Sequence, residues 1–213
     1  NPKAASLEFL TAHDARSAPS ATSIAADPYF RVMLASTPVR IIAMERWLTA
    51  LRAAILRVAL ADKPDVDDDV LAFCAALAQQ CFINEYVFTV VPLETAQVEQ
   101  LETLVTTALA SGDALPPLRL IVFAMYAPLY TLGNAQALIE RQCPPAAAAV
   151  VTQQVREPLE EQALRASIPV LTPIGEGVTA QVRQQYEENP YPRWVRLRPP
   201  PNPLRVLDSY IRN

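Results

Sequence analysis

The fold is decided by residues 67–88, which read DDDVLAFCAALAQQCFINEYVF. Three aspartates at 67–69 place negative charge where a helix begins, and this charge complements the positive end of the helix dipole. From about Val70 to Phe88 the residues are apolar on nearly every side of the predicted helix. A helix that is apolar all round is buried among other helices, so this stretch predicts the centre of a helical bundle.

Helices are predicted on both sides of this central one. The clearest has an apolar face with residues three or four positions apart: Ile41, Met44, Leu48, Leu51, Ile55 and Val58. Arg46, Arg52 and Arg57 fall off this stripe. Asp27-Pro28 opens a short helix, and further helices are predicted at 93–110, 118–129, 135–141, 146–156, 159–166 and 178–188. Pro158 either kinks the helix that precedes it or starts a new one.

We therefore predict an all-α fold, either an irregular helical bundle or a degenerate helical stack. Only 4 residues are glycine, while alanine and leucine are abundant, and this composition favours helices over a sandwich or barrel of many turns. The predicted organisation of the 213 residues is a loose lead-in at 1–26, a helical domain at 27–189, and an extended docking strip and connector at 190–213.

Charge and apolar run lengths exclude several classes of protein. The formal net charge is −4, so the chain lacks the basic excess that captures nucleic acid. The longest apolar run, Leu120–Leu132, is too short to span a bilayer, so it is predicted as a core helix and no membrane partner is expected. Three cysteines in apolar contexts and the lack of a signal-peptide pattern predict a cytoplasmic protein with reduced thiols.

The usual equipment of an enzyme is missing from the sequence. His13 is the only histidine, so neither a histidine-based nucleophile relay nor a multi-histidine metal site is predicted. The cysteine spacing does not match a zinc module, and the glycines at 175 and 177 lie outside any strand-to-helix turn of the phosphate-binding kind. We therefore expect no catalytic residue, no metal and no cofactor in this chain.

The most unusual local sequence is QQYEENPYPRW at 184–194. Pro190 and Pro192 push the residues before them into an extended conformation, so the preceding helix is predicted to end near Asn189. The strip that follows is either a linker whose aromatic rings cap the bundle or an element that docks against a partner. The candidate interaction residues are Tyr186, Glu187, Glu188, Pro190, Tyr191, Pro192, Arg193 and Trp194.

A charged band surrounds Pro158 and consists of Gln153, Arg156, Glu157, Glu160, Glu161 and Arg165. One interpretation is a solvated helix face with ion pairs four residues apart, such as Glu161 with Arg165. The other is that Arg156 or Arg165 pairs with Glu187 or Glu188. That pairing would hold the strip in place, since a chain that turns back after Ser167 brings the two segments near each other.

Polar residues also interrupt the apolar central helix, namely Gln79, Gln80, Asn84 and Glu85. Buried amides and acids need hydrogen-bond partners. They therefore form either a polar network that fixes the packing or a binding pocket in which Gln80, Asn84 and Glu85 hold a small molecule. An enzyme that uses carboxylates alone, such as Glu85 with Glu157, is a third and weaker hypothesis.

Two segments carry a family resemblance: LAQQCFINEYVF at 77–88 and QQVREPLEEQALRASIPVLTPIGEGVTAQVRQQYEENPYPRWV at 153–195. Together they resemble a region of large bacterial proteins in which a tetratricopeptide array precedes a class I methyltransferase domain. In that family, this helical region lies between the repeats and the catalytic domain, and the YEENPYPRW motif comes shortly before the cofactor-binding domain.

The resemblance implies a helical interaction or regulatory module without catalytic residues of its own. The strand and Gly-rich turn that contact S-adenosylmethionine in the family have no counterpart here, so the resemblance implies that cofactor only for an adjoining domain. The implied partners are the adjoining methyltransferase domain, its protein substrate, or both. The alternative from a different class is the small-molecule-binding helical domain described above.

Overall fold

The computed structural model describes residues 26–165, 167–169, 181–183 and 185. Its helices are α1 (Pro28–Ser36), α2 (Ile42–Ala59), α3 (Asp68–Ile83), α4 (Pro92–Ser111), α5 (Pro117–Phe123), a 3-10 turn (Leu129–Thr131), α6 (Ala137–Glu140), α7 (Pro145–Val151), a π turn (Thr152–Arg156) and α8 (Glu157–Arg165). Residues 181–183 and 185 are also helical. The described residues contain no strand, and the predicted all-α fold is confirmed.

Helix α3 is the central helix of the bundle, as predicted. It packs against α1, α5 and α7, and most of its side chains are buried, among them Phe73 and Leu77. Its start also agrees with the prediction, because the Asp67 carboxylate accepts a hydrogen bond of 2.8 Å from the Val70 amide. This bond satisfies one of the amides that a helix leaves unpaired at its beginning.

The predicted end of α3 near Phe88 is wrong, since the helix ends at Ile83. Glu85 and Tyr86 adopt left-handed backbone conformations, with φ of 55° and 57°. The Tyr86 amide bonds to the Cys81 carbonyl at 2.8 Å and the Glu85 amide to the Phe82 carbonyl at 3.2 Å, which is the bond pattern of a Schellman cap. Glycine usually occupies such a cap, and with glutamate there the sequence carries no stop signal.

The apolar run Leu120–Leu132 was predicted as one core helix, and the structure divides it. Helix α5 ends at Phe123, a turn follows, and Pro128 precedes the 3-10 turn. Proline has no amide hydrogen to continue an α-helical bond ladder, so a helix ends before it. The run is nevertheless core, because Ile121, Met125 and Leu129 are fully buried.

Pro158 lies in the first turn of α8, as one of the two alternatives predicted, and α7, the π turn and α8 follow one another without a break. The Glu157 amide donates to the Thr152 carbonyl, five residues back. Pro158 cannot donate to Gln154, four residues back, and the wider π turn accommodates this missing bond. The π turn also moves the side chains that follow α7 to new positions around the helix.

Aromatic packing joins the first three helices. The ring centroids of Phe30 and Phe73 are 6.3 Å apart, and Trp47 lies 6.3 Å and 6.5 Å from these two rings. The Arg119 side chain donates to the carbonyls of Ala59 (3.1 Å) and Ala61 (3.0 Å), which ties α5 to the end of α2.

Several predictions fall on residues that the structure does not describe. These are the lead-in up to residue 25, most of the helix at 178–188, and the docking strip and connector at 190–213. The domain boundaries at 26 and 189 therefore stay predictions.

Candidate interaction site

Residues 84–91 connect α3 to α4. Together with the first turn of α4 they read NEYVFTVVPLE, and we call residues 84–94 the 84–94 segment. After the cap of α3 the backbone is not helical again until Pro92. Phe88 is buried in the core, whereas Val87, Val90 and Val91 on both sides of it are exposed. Valine and phenylalanine favour extended backbone. The segment thus anchors itself by one ring and directs its other apolar side chains outwards.

Arg52 on α2 holds the segment from beneath. Its side chain is fully buried, although it falls off the apolar stripe predicted for this helix. The guanidinium donates to the carbonyl of Thr89 at 2.9 Å and to that of Met125 at 3.5 Å. It also lies 4.2 Å from the Tyr126 ring centroid and 5.6 Å from that of Phe88, both within the range of cation–π attraction.

Glu94 supplies the opposite charge. Its Oε1 lies 3.9 Å from Nη2 of Arg52 and accepts a hydrogen bond of 2.8 Å from the Tyr126 hydroxyl. Its Oε2 accepts from the Val91 amide at 3.1 Å and so caps the start of α4. Burial raises the pKa of the Tyr126 phenol, with the Arg52 charge opposing this and the hydrogen bond to Glu94 adding to it. The phenol therefore remains a proton donor to Glu94.

Gln154 on the π turn supports the start of the segment. The side chain is fully buried and makes four hydrogen bonds. Its Oε1 accepts from the Tyr86 hydroxyl (3.3 Å) and the Leu129 amide (3.2 Å). Its Nε2 donates to the carbonyls of Ala78 (3.2 Å) and Ala124 (3.1 Å). All the hydrogen-bonding capacity of this amide is used, which links α3, the 3-10 turn and the residues after α5.

The outer surface of the segment is apolar. Val87, Val90, Val91 and Leu93, which we call the apolar patch, have side chains that are 42–67% exposed. Beside the patch lies an open depression of about 400 Å³, lined by Val90, Pro92, Thr95, Ala96 and Glu99. Four exposed apolar side chains within seven residues make this segment a candidate interaction site.

The three residues of the predicted polar pocket lie at the end of α3, where the Asn84 amide donates to the Gln80 carbonyl at 3.0 Å. Gln80 is fully buried on α3. With its amide oriented to suit its neighbours, the nitrogen donates to the carbonyls of Thr37 (2.8 Å) and Leu34 (3.1 Å) at the end of α1. Asn84 is the buried C-cap of α3, and Glu85 follows as a half-buried residue of the cap. Gln80 thus serves the contact between α1 and α3.

The charged band around Pro158 lies mainly on α8. All of α8 is described, and none of its residues is buried. Arg156 and Arg165 are exposed, and their predicted partners Glu187 and Glu188 lie outside the described residues. Partial burial raises the pKa of Glu157, with the nearby charges of Glu161 and Glu160 acting in the same direction. The remaining candidate residues of the strip, which lie between Tyr186 and Trp194, are also outside the described part of the chain.

The three cysteines differ in their surroundings. All are free thiols; Cys74 and Cys81 are fully buried and Cys143 is half-buried. Burial raises the pKa of the Cys74 and Cys81 thiols to about 12, a rise that Asp67 enlarges for Cys74 and that Arg52 opposes for Cys81. These two thiols are packing groups, since the reactive form of cysteine is the thiolate.

We therefore expect a disulfide reagent such as dithionitrobenzoate to modify Cys143 alone in the native protein at pH 8. A rise of the pKa from 9.0 to about 12 lowers the thiolate population of the other two cysteines by about a thousandfold at that pH. In guanidinium chloride all three should react at similar rates. Rapid native reaction of three equivalents would contradict the described burial.

The sequence prediction missed Arg52, Glu94, Tyr126 and Gln154. For Arg52 and Glu94, the sequence did contain a local indication of their roles. Arg52 lies four residues after Leu48 and three before Ile55, so it borders the apolar stripe. Glu94 stands at the third position of α4, where an acid can accept from the N-cap amide. Nothing in the local sequence distinguishes Gln154 from the neighbouring Gln153, because the π turn decides their directions.

Among the described residues, no group of three or more His, Cys, Asp or Glu side chains is placed to hold a metal ion. No helix in the same ranges has both the length and the apolar character needed to cross a membrane. In comparisons with known proteins, no family model, curated protein or solved structure matches the chain.

Proposed function

We propose that this chain is a non-catalytic helical interaction module of a bacterial, cytoplasmic protein that contains an S-adenosylmethionine-dependent methyltransferase domain. The module positions that catalytic domain or its protein substrate. The methyltransferase part of the proposal rests on the resemblance carried by residues 77–88 and 153–195. The cytoplasmic part rests on the free thiols of the three cysteines.

One observation carries the interaction function: buried polar side chains fix the 84–94 segment from inside, while its apolar side chains face outwards. Arg52 and Glu94 bind the backbone of the segment at Thr89 and Val91. A surface loop held in this way loses little conformational entropy when a partner covers it. Binding residues are often displayed on loops that a rigid scaffold positions.

The two segments that carry the resemblance meet each other in the fold, which supports treating them as one functional unit. Gln154, from the second segment, bonds to Tyr86 and to the Ala78 carbonyl in the first. Tyr86 has a left-handed backbone and Gln154 stands on a π turn. Both are conformations that occur preferentially at functional sites.

Calorimetry with S-adenosylmethionine tests the non-catalytic part. The 213-residue chain should show no binding at micromolar cofactor concentrations and no methyl transfer. Either activity in this chain would overturn the proposal. The gene sequence downstream of the Asn213 codon tests the methyltransferase part: a strand running into a Gly-rich turn is expected there, and a stop codon or an unrelated sequence would remove that part.

A second candidate function is a small-molecule-binding domain, and one atom favours it. Among the described residues, the buried Oδ1 of Asn84 has no hydrogen-bond partner, and such an acceptor needs a donor from a ligand or water. Native mass spectrometry of the purified chain tests this alternative. If the alternative is right, the spectrum should show a bound small molecule that the Asn84→Leu variant lacks. A spectrum that shows only the chain without a ligand would rule out this alternative.

A further inference from the structure

We propose that the apolar patch and the adjoining depression are covered by the chain's own C-terminal strip, with Tyr191 and Trp194 packed on the valines. The inference deepens the proposed function, because a strip held on the bundle fixes the position of any domain attached to it. The docking itself needs no second domain. It can therefore fail or succeed independently of the methyltransferase proposal.

The surface is suited to aromatic rings. Val90 belongs to both the patch and the depression, so the two form one continuous surface. Tyrosine and tryptophan bury large areas with few rotatable bonds, and prolines at 190 and 192 reduce the freedom that the strip loses on docking. The apolar contact therefore has a small entropic cost on both sides.

Charge favours this occupant over others. Between residues 84 and 118, from the start of the 84–94 segment to the beginning of α5, the chain has five acidic residues and no lysine or arginine. Between 189 and 213 it has five arginines and one acid, Asp208. Glu99 lines the depression, and Glu102 is exposed three residues further along α4, on the same side of the helix. The arginines that follow Trp194 can thus lie against acids while the rings lie against the valines.

A second copy of the chain would fit this surface poorly. A symmetric dimer through the patch would bring one 84–118 acidic region against another, with like charges opposed. The strip has the complementary charge and belongs to the same molecule, so its effective concentration is high.

The strip is also long enough to reach the patch. Twenty residues separate Pro169 from Pro190. Even if the helix predicted from the sequence at 178–188 forms, they span about 45 Å, against a radius of gyration of about 14 Å for such a domain.

Fluorescence of the whole chain tests the docking. The chain has two tryptophans, so Trp47→Phe, a conservative change in the aromatic cluster, leaves Trp194 as the only indole. We expect its emission to be shifted to shorter wavelength and its acrylamide quenching to be reduced relative to the unfolded chain. Adding Val90→Asp should move both values towards those of the unfolded chain, as should Glu99→Lys combined with Glu102→Lys.

The matched control is Val32→Asp, which places the same charge on another exposed valine, one that lies on α1. Val32 is 63% exposed, and its neighbour Arg31 pairs with Asp69 at the opposite end of α3 from the patch. This control should leave the Trp194 signal unchanged, and circular dichroism should show that all variants keep their helices.

Three results would overturn the inference. The first is a solvent-exposed Trp194 in the Trp47→Phe chain. The second is a shielded Trp194 that responds to neither Val90→Asp nor the double lysine variant, which would place the strip elsewhere on the bundle. The third is a concentration-dependent dimer in sedimentation that Val90→Asp abolishes, which would make a second copy the occupant.

Discussion

Replacing Arg52 by methionine should lower the free energy of unfolding by about 3–5 kcal/mol, the range for breaking a buried ion pair by removing one partner. Methionine fills a similar volume but leaves Glu94, which is 6% exposed, without its opposite charge. The Thr89 carbonyl also loses its 2.9 Å hydrogen bond. Urea denaturation followed by circular dichroism measures the change.

Two variants separate the ion pair from general effects of the substitution. Arg46→Met changes an exposed arginine of the same helix and should alter stability by no more than about 0.5 kcal/mol. Glu94→Gln added to Arg52→Met removes the unpaired charge and should recover part of the loss, because the two residues are coupled. If Arg52→Met and Arg46→Met had the same free energy of unfolding, this would contradict the buried ion pair between Arg52 and Glu94.

The positions of the helices were largely predictable because apolar periodicity reports burial directly. Helix α3 is the buried central helix, as predicted. The predicted limits of α4, 93–110, differ from the observed helix Pro92–Ser111 by one residue at each end. The errors lie where backbone geometry overrides the pattern. The apolar run continues past Ile83 through Val87 and Phe88, so periodicity alone extends α3 beyond its true end.

The candidate site was much less predictable. Arg52 is an arginine in the core, a position that charged residues almost never occupy without a partner, and its partner Glu94 lies 42 positions away in the sequence. Gln154 finds its acceptors and donors on three separate parts of the chain. Contacts of this kind depend on the tertiary fold. The local sequence signals that Arg52 borders the apolar stripe and that Glu94 can cap α4, but it does not signal that the two side chains meet.

Gln154→Leu should lower the free energy of unfolding by about 2–4 kcal/mol, because it leaves buried polar groups without partners. The buried Leu129 amide loses its 3.2 Å bond, the Ala78 and Ala124 carbonyls lose bonds of 3.2 Å and 3.1 Å, and leucine offers no hydrogen bond in return. The same change should loosen the cap of α3, so amide hydrogen exchange at 84–88 should accelerate beyond what the global destabilisation explains.

The neighbouring Gln153 is the matched control, since it has the same side chain and is also buried. Among the described residues its Oε1 has no hydrogen-bond partner. Gln153→Leu therefore removes an unsatisfied acceptor, and the free energy of unfolding should change by less than about 1 kcal/mol, in either direction. Equal losses for the two substitutions would mean that the four bonds of Gln154 do not hold the fold together. If only Gln154→Leu lowered the free energy of unfolding strongly, this would establish that the π turn positions the Gln154 side chain to join residues 77–88 to residues 153–195.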